Sequence, residues 1–337
     1  MRVIEIANAF GLENVGLAER PDPRPGPGQV LLRMRAASVN FRDVLTAQGS
    51  YNRKQKLPLI PGSDGVGEVV AVGEGVTRVA VGDRASGIFA QRWIAGEPSR
   101  ERLRSTLGGP LDGTLAEQMV LSEEGVVRVP EHLSDEEAAT LPCAAVTAWD
   151  ALVSQGRVTA GDTVLVQGTG GVSIFALQLA RLLGARVIVT SGSDEKLARA
   201  RELGAEAGIN YKEVPAWGDR AKELTGGVGV DHVVEVGGAG TLGQSLRAIR
   251  MGGTISLIGN LAGSSTELLL PLVFMQRVRL QGILVGPRES FEAMNRAIAA
   301  HRLHPVIDRT FPLEEARAAF EHMAAGGHFG KICIRIG

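Results

Sequence analysis

A chain of 337 residues exceeds the usual size of a single core, so two domains are expected. Apolar residues make up 44% and charged residues 22%, and the formal net charge is -1, which fits a soluble globular protein and argues against nucleic acid as a partner. No apolar run reaches the roughly 18 residues that span a bilayer, and "MRVIEIANAF" lacks the apolar stretch of a signal peptide, so a cytoplasmic location without a membrane partner is expected.

From residue 1 to about 130 the chain shows short β-rich runs, "VLLRMRAASV", "GEVVAVG", "TLAEQMVLS" and "VVRVP", punctuated by Gly and Pro. They predict a compact, mainly antiparallel domain. Within it "LIPGSDGVGEVV" sets Gly62, Gly65 and Gly67 around Asp64. β pattern flanks the loop and no helix follows, so it is not a phosphate cradle, and its glycines read as turn and close-approach positions.

"SDEEAATLPCAAVTAWDALV" then opens with a capping-box pattern, Ser134 followed by Glu137, which starts a helix near Asp135. Pro142 should break that helix or restart a second one. From residue 163 strands and helices alternate, the signature of βαβ units and a parallel sheet. The final stretch holds "VRLQGILVG", two amphipathic helices, "SFEAMNRAIAAHRL" and "LEEARAAFEHMAAG", and a closing strand "KICIRI".

The strongest chemical signal is "TVLVQGTGGVSIFALQLARLLGARVIVTSGSDEK", where strand, glycine turn, helix and second strand follow in the order a dinucleotide site requires. Gly168 permits a tight turn, Thr169, Gly170 and Gly171 bring backbone N–H groups toward a pyrophosphate, and a helix beginning near Val172 offers its positive end. Ser173 stands for the third glycine of the fingerprint. A rival, "GAGTLG" at 238–243, matches the literal pattern but opens a later unit with no acid at the ribose distance. It reads as a turn bordering the nicotinamide half of the same cofactor.

An NAD site should end its second strand in an acid, yet that strand ends at Ser191. Asp194 and Glu195, behind Ser193, read as first-turn residues of the next helix. Lys196 and Tyr211 are candidates to surround a 2'-phosphate, so NADP(H) is preferred over NAD(H). The two cysteines, Cys143 and Cys333, exclude a four-cysteine zinc lobe and make a disulfide framework improbable. His301 and His304 are three apart, but Pro305 ends their helix and no acid or cysteine adjoins them, so a C-terminal capping role is the better reading than a metal site.

The stretches "ASVNFRDVL", "LPLIPGSDGVGEVVAVGEGVTRVAVGDR", "AATLPCAAVTAWDAL", "VLVQGTGGVS" and "GHFGKICI" together resemble the medium-chain dehydrogenase/reductase superfamily, which joins zinc alcohol dehydrogenases and zinc-free quinone oxidoreductases. The resemblance covers nearly the whole chain. It implies an α/β fold, with a GroES-like β domain at 1–128, completed by 270–337, and an inserted Rossmann doubly wound parallel-sheet domain at 129–269.

In zinc-bearing relatives, motifs matching "SVNFRD", "PGSDGVGEV" and "PCAAVT" carry a cysteine, a His-Glu pair and a cysteine that build the metal site; here Asn40, Ser63-Asp64 and Cys143 stand there. A catalytic zinc needs three protein ligands, so none is expected, and Cys143 becomes a small buried hydrophobe. Hydrogen-bond donors must then stabilise the substrate oxygen. "AQGSYN" resembles the turn that presents the catalytic tyrosine of zinc-free enoyl reductases, which makes Tyr51 a candidate donor, and "SVN" makes Asn40 a candidate orienter. Asp43 matches a family acid that, with no metal to support, is left to pair with Arg42.

By the same resemblance Thr147 lies on the nicotinamide side and Lys331 near the pyrophosphate. Phe89 and Trp93, in the stretch that replaces the zinc lobe, belong either to a wall of the substrate entrance or to a surface loop. The implied activity is NADPH-dependent hydride transfer to a small-molecule substrate, a quinone or an α,β-unsaturated carbonyl. Alternatives are a zinc-independent alcohol dehydrogenase or carbonyl reductase, and a non-catalytic dinucleotide-binding protein. A homodimer is expected, with "VRLQGILVG" as the pairing edge.

Overall fold

The computed structural model describes residues 1–337. The N-terminal part supplies β1 (Arg2–Ile6), β2 (Val15–Glu19), β3 (Gln29–Val39), β4 (Asp64–Val72), β5 (Arg84–Gly87), β6 (Gln118–Ser122) and β7 (Val126–Arg128). The middle adds β8 (Thr163–Gln167), β9 (Arg186–Ser191), β10 (Ala207–Asn210), β11 (Val230–Glu235), β12 (Ile249–Leu257) and β13 (Arg279–Gly282). The C-terminal stretch returns with β14 (Ile307–Pro312) and β15 (Lys331–Arg335). Two compact units result, Met1–Val146 with Gly286–Gly337, and Thr147–Val285.

The first unit is built on a seven-stranded sheet of order β14-β15-β3-β4-β5-β7, with β6 also on β3. β3 alternates along its first half and carries Val30, Leu32 and Met34 into a core shared with Val69, Leu121, Ile332 and Ile334. The C-terminal β15 pairs antiparallel with the end of β3, Ile332 opposite Val39, so the last strand completes the N-terminal domain as expected. At the start of β4, Gly62 adopts φ 92, and a Cβ on Gly67 would stand 2.6 Å from the Arg33 carbonyl oxygen. These glycines answer to a turn and to close strand approach.

The second unit is a six-stranded parallel sheet of order β10-β9-β8-β11-β12-β13, the order of doubly wound dinucleotide-binding sheets. Its strands are apolar runs because helices cover both faces; β8 is buried along its whole length, and Leu165, Ile188, Ile209, Val233 and Ile255 form the core with Trp217 and Leu246.

The domain boundaries fall at 146/147 and 285/286, not at 128/129 and 269/270. The capped helix Asp135–Ala139 packs on β3, β4 and β15, and β13 pairs with β12, so each segment stays with the sheet that buries it. Ser134 and Glu137 form the expected reciprocal cap, with Glu137 N–H to Ser134 Oγ at 3.1 Å and Ser134 N–H to Glu137 Oε2 at 2.8 Å. Pro142 falls in a wide turn, Leu141–Ala145, and a helix restarts at Val146–Trp149. Within the 89–113 stretch Phe89 and Trp93 are buried and the Trp93 carbonyl accepts the Arg288 N–H at 3.0 Å, whereas residues 95–101 are exposed.

Candidate active site

Five polar side chains meet in the interior of the first unit, where β3, β4 and β15 lie side by side. Lys331 is 2% exposed and Asp64 0%, and their charged ends are 3.3 Å apart. The Lys331 ammonium also donates to Asn40 Oδ1 at 2.6 Å and to the Val39 carbonyl at 3.2 Å. Ser38 Oγ donates to Asp64 Oδ2 at 3.1 Å and Ser63 Oγ to Asp64 Oδ1 at 3.2 Å. Asn40 Nδ2 lies 3.4 Å from Ser63 Oγ and closes the ring of contacts. Burial raises the Asp64 carboxyl above its ordinary value, with Lys331 pulling it back down.

Beside this centre the helix Phe41–Ala47 starts at Asn40, whose N–H donates to Asp43 Oδ2 at 2.8 Å. Desolvation pushes Asp43 up to about 6, against the opposing pull of the Arg42 charge and the Asn40 N–H. Arg42 does not ion-pair with it. The guanidinium donates to the Leu107 carbonyl at 2.9 Å and the Gly109 carbonyl at 2.6 Å, and stacks 4.9 Å from the rings of both Tyr51 and Phe89. Tyr51 is half exposed on this stack. Cys143 is partly exposed instead of fully buried, and desolvation together with the Asp64 charge raises its thiol well above the ordinary range. It therefore stays protonated at neutral pH.

In the second unit Gly168 takes φ 71 at the end of β8, and the helix Gly171–Leu182 follows with Gly170 as its cap. No acceptor in the chain takes the N–H groups of Gly171 and Val172, and both point to the open end of the helix, as an anion site needs. Ser173 Oγ donates to the Gln167 carbonyl at 2.7 Å, so it fastens helix to strand where the fingerprint has glycine. The residues present thus fit a dinucleotide pyrophosphate.

The rival glycine turn is closed to such a ligand. The N–H groups of Gly237 and Gly238 donate to Glu235 Oε1, both at 2.9 Å, and those of Ala239 and Gly240 to the Gly263 and Ala262 carbonyls. Glu235, fully buried at the end of β11, also accepts from Gln167 Nε2 at 2.6 Å and Ser245 Oγ at 2.5 Å. Gln167 ends β8, so this pair ties together the two strands at which the sheet order reverses. The only sequence signal for it was an acid inside the apolar run "VDHVVEV".

At the adenosine end, Ser191 is buried and its Oγ accepts the Ser193 N–H at 3.3 Å. Ser193 caps the helix Asp194–Glu202, and Asp194 Oδ1 accepts from Asn210 Nδ2 at 3.0 Å. Around Gly192 stand Tyr211 and Lys212: a Cβ there would meet Tyr211 Oη and Lys212 Cε, each at 2.9 Å. Lys196 lies in the first turn of the capped helix Asp194–Glu202, its N–H donating to Ser193 Oγ at 3.4 Å. Lys212 escaped the sequence reading because its place over Gly192 depends on β9–β10 pairing.

Two family models match the chain, the alcohol dehydrogenase GroES-like domain over residues 26–131 and the zinc-binding dehydrogenase over 171–300. A zinc-type alcohol dehydrogenase-like protein of Schizosaccharomyces pombe is 43% identical over 92% of this chain and 91% of its own. The chain belongs to the medium-chain dehydrogenase/reductase family. It is an NAD(P)-dependent oxidoreductase of that family. Among solved structures, a putative alcohol dehydrogenase from Sinorhizobium meliloti is 42% identical with a TM-score of 0.93, each chain covered to 99%. A crotonyl-CoA carboxylase/reductase in complex with NADP is 26% identical with a TM-score of 0.88, over 99% of this chain and 94% of the other.

Of the residues expected to serve this medium-chain oxidoreductase, the structure gathers Gly168, Thr169, Gly170, Gly171 and Val172 at one helix start, and Ser191, Lys196 and Tyr211 at one strand end. Thr147 is buried in the helical turn Val146–Trp149. Lys331 differs from expectation. Its ammonium is committed inside the first unit to Asn40, Val39 and Asp64, because a buried carboxylate requires a counter-charge, and it is not a surface donor for a pyrophosphate. His304 Nδ1 pairs with Glu137 Oε1 at 2.9 Å and stacks edge-on with His132 instead of capping its own helix, whose end is set by Arg302 at φ 47.

Proposed function

We propose that the protein is an NADPH-dependent reductase of an activated carbonyl system, a quinone or an α,β-unsaturated ketone, aldehyde or thioester, that works without catalytic zinc. The observation that carries this reading is the Lys331–Asp64 ion pair at the place of the family's metal ligands. The carboxyl a metal would need there already faces an ammonium and two serine hydroxyls, its neighbour is Ser63 in place of a histidine, and the Cys143 thiol is held protonated.

Bound NADPH supplies the hydride. Asn40 orients the substrate oxygen through its amide, and Tyr51, or a water beside it, supplies the proton, so that hydride and proton together complete a two-electron reduction. The uncommitted N–H groups at Gly171 and Val172 favour the pyrophosphate, and Lys196, Lys212 and Tyr211 favour a 2'-phosphate over a bare ribose. The NADP-bound reductase among its structural neighbours supports the same cofactor and an enoyl thioester as one acceptor class.

Alcohol oxidation is the second reading, favoured by the S. meliloti neighbour. A cytoplasmic setting accords with two free thiols. Titrating NADPH and NADH, then screening quinones, enones, enoyl thioesters and alcohols, tests the proposal. Turnover with unsaturated acceptors is expected, lowered about 100-fold by Asn40→Ala. Activity confined to alcohols would reject it in favour of the second reading, and tight NADPH binding with no turnover on any acceptor in favour of a binding protein.

A further inference from the structure

One cation in the first unit stands over two aromatic rings of very different exposure. The Arg42 guanidinium carbon is 4.9 Å from the centroid of the Phe89 ring, which is 3% exposed, and 4.9 Å from that of Tyr51, which is half exposed. A flat, permanently charged group suits both π faces, and burial on the Phe89 side strengthens the attraction.

Arg42 is held by backbone and makes no ion pair. Its Nη1 donates to the Leu107 carbonyl at 2.9 Å and its Nη2 to the Gly109 carbonyl at 2.6 Å. Both carbonyls belong to a turn that the Leu111 N–H closes on the Thr106 carbonyl at 3.1 Å. A guanidinium fork across two fixed acceptors has a fixed plane.

Tyr51 is tied at one end only. Its N–H donates to the Leu45 carbonyl at 3.1 Å, and Gly49 at φ 71 turns the chain out of the helix Phe41–Ala47. The phenol hydroxyl makes no hydrogen bond within the chain, so its proton is uncommitted. A half-exposed ring with an unheld hydroxyl would exchange among rotamers, and a proton donor acts only over a narrow range of directions.

We infer that Arg42 is a positioning residue for the reaction: its backbone-anchored guanidinium fixes the Tyr51 ring so that the uncommitted hydroxyl meets the substrate oxygen. One helix carries both parts, with Arg42 in its first turn and Tyr51 in the turn that leaves it, while Phe89 backs the cation from inside. This inference rests on the reading of Tyr51 as the proton donor.

The test uses the full chain with NADPH and whichever of cyclohexenone and benzoquinone is reduced faster. It compares Arg42→Met, Arg42→Lys, Tyr51→Phe, and Arg42→Met combined with Tyr51→Phe. Arg42→Lys keeps the charge, which guards against a fold lost with it, but lacks the flat fork that spans two carbonyls. Expected are NADPH affinity within about threefold of the parent throughout, and kcat lower by on the order of 10-fold in both Arg42 variants with KM little changed. The double variant should match Tyr51→Phe within about twofold, because Arg42 acts through that ring. The chain has only two tyrosines, so the ring signal lost in Tyr51→Phe identifies Tyr51; in ring-labelled protein it should move in Arg42→Met while the other stays. Parent-like kcat in Arg42→Lys, or losses that multiply in the double variant, would overturn the inference. So would a loss of NADPH affinity above about 10-fold at unchanged kcat, since Arg42 would then serve the cofactor. If Tyr51→Phe turns over like the parent, the reading of Tyr51 fails and Arg42 loses its role in the reaction. An unmoved Tyr51 ring signal in Arg42→Met rejects the positioning contact itself, whatever the turnover of Tyr51→Phe.

Discussion

Two buried titratable groups pull stability in opposite directions with pH. His232 in β11 is 2% exposed, bonds Ser256 Oγ at 3.0 Å, and is lowered by desolvation to about 4. Its folded value lies below the unfolded one, so the unfolded chain binds the proton first and stability falls as pH drops from about 6.5 toward 4, by about 3 kcal/mol in full. Asp43, raised to about 6, has the reverse sign: the folded state takes the proton first, and stability falls as pH rises from about 4 to 6. Between about pH 4 and 6 the two contributions nearly cancel, so the urea midpoint should fall with rising pH there in His232→Gln and rise with pH in Asp43→Asn. The same slope in all three proteins would refute the assignment. Nothing in "VDHVVEV" or "NFRDVL" could announce these shifts, because both come from atoms brought in by distant strands. Asn40 and Lys331 each stood in a motif, but their contact had no sequence signal, since the chain separates them by most of its length.

At the scale of elements, the β8 turn and helix were readable because every determinant lies within a few residues: a glycine at φ 71, a helix start, and Ser173 reaching back to Gln167. The second glycine motif matched the pattern more literally and yet has no free N–H for a ligand, because Glu235 takes two of them. Glu235→Ala leaves Gln167, Ser245, Thr241 and two backbone N–H groups without their acceptor inside a buried site. A loss of about 3 kcal/mol or more in urea unfolding is expected; a loss below about 1 kcal/mol would mean water or a rearranged Gln167 replaces it. At the strand end, Lys196→Ala with Lys212→Ala should weaken NADPH about 10-fold or more while leaving NADH nearly unchanged, by fluorescence titration. Equal weakening of both dinucleotides would point to a general charge effect and away from 2'-phosphate recognition.

Across the whole molecule, the alternation of strand and helix gave the parallel sheet and the β-rich ends gave the first unit, while the boundaries moved because pairing, not composition, decides where a segment belongs. β13 is an edge strand, and Leu269, Leu270, Phe274 and Met275 beside it are each more than half exposed. An open edge next to an apolar stretch suits a second copy of the chain across a two-fold axis. Light scattering should report a dimer for the parent and a monomer for Leu270→Glu with Phe274→Glu; a monomeric parent would remove this part of the account. The claim on which the rest depends is that an ammonium and an amide stand where relatives of this family place zinc. It is tested most directly by NADPH oxidation with the best unsaturated acceptor after exhaustive chelation, repeated with zinc restored and metal content measured. Undiminished turnover in metal-free protein, with no gain from added zinc, is the expected result. Activity that vanishes on chelation and returns with about one zinc per chain would contradict it.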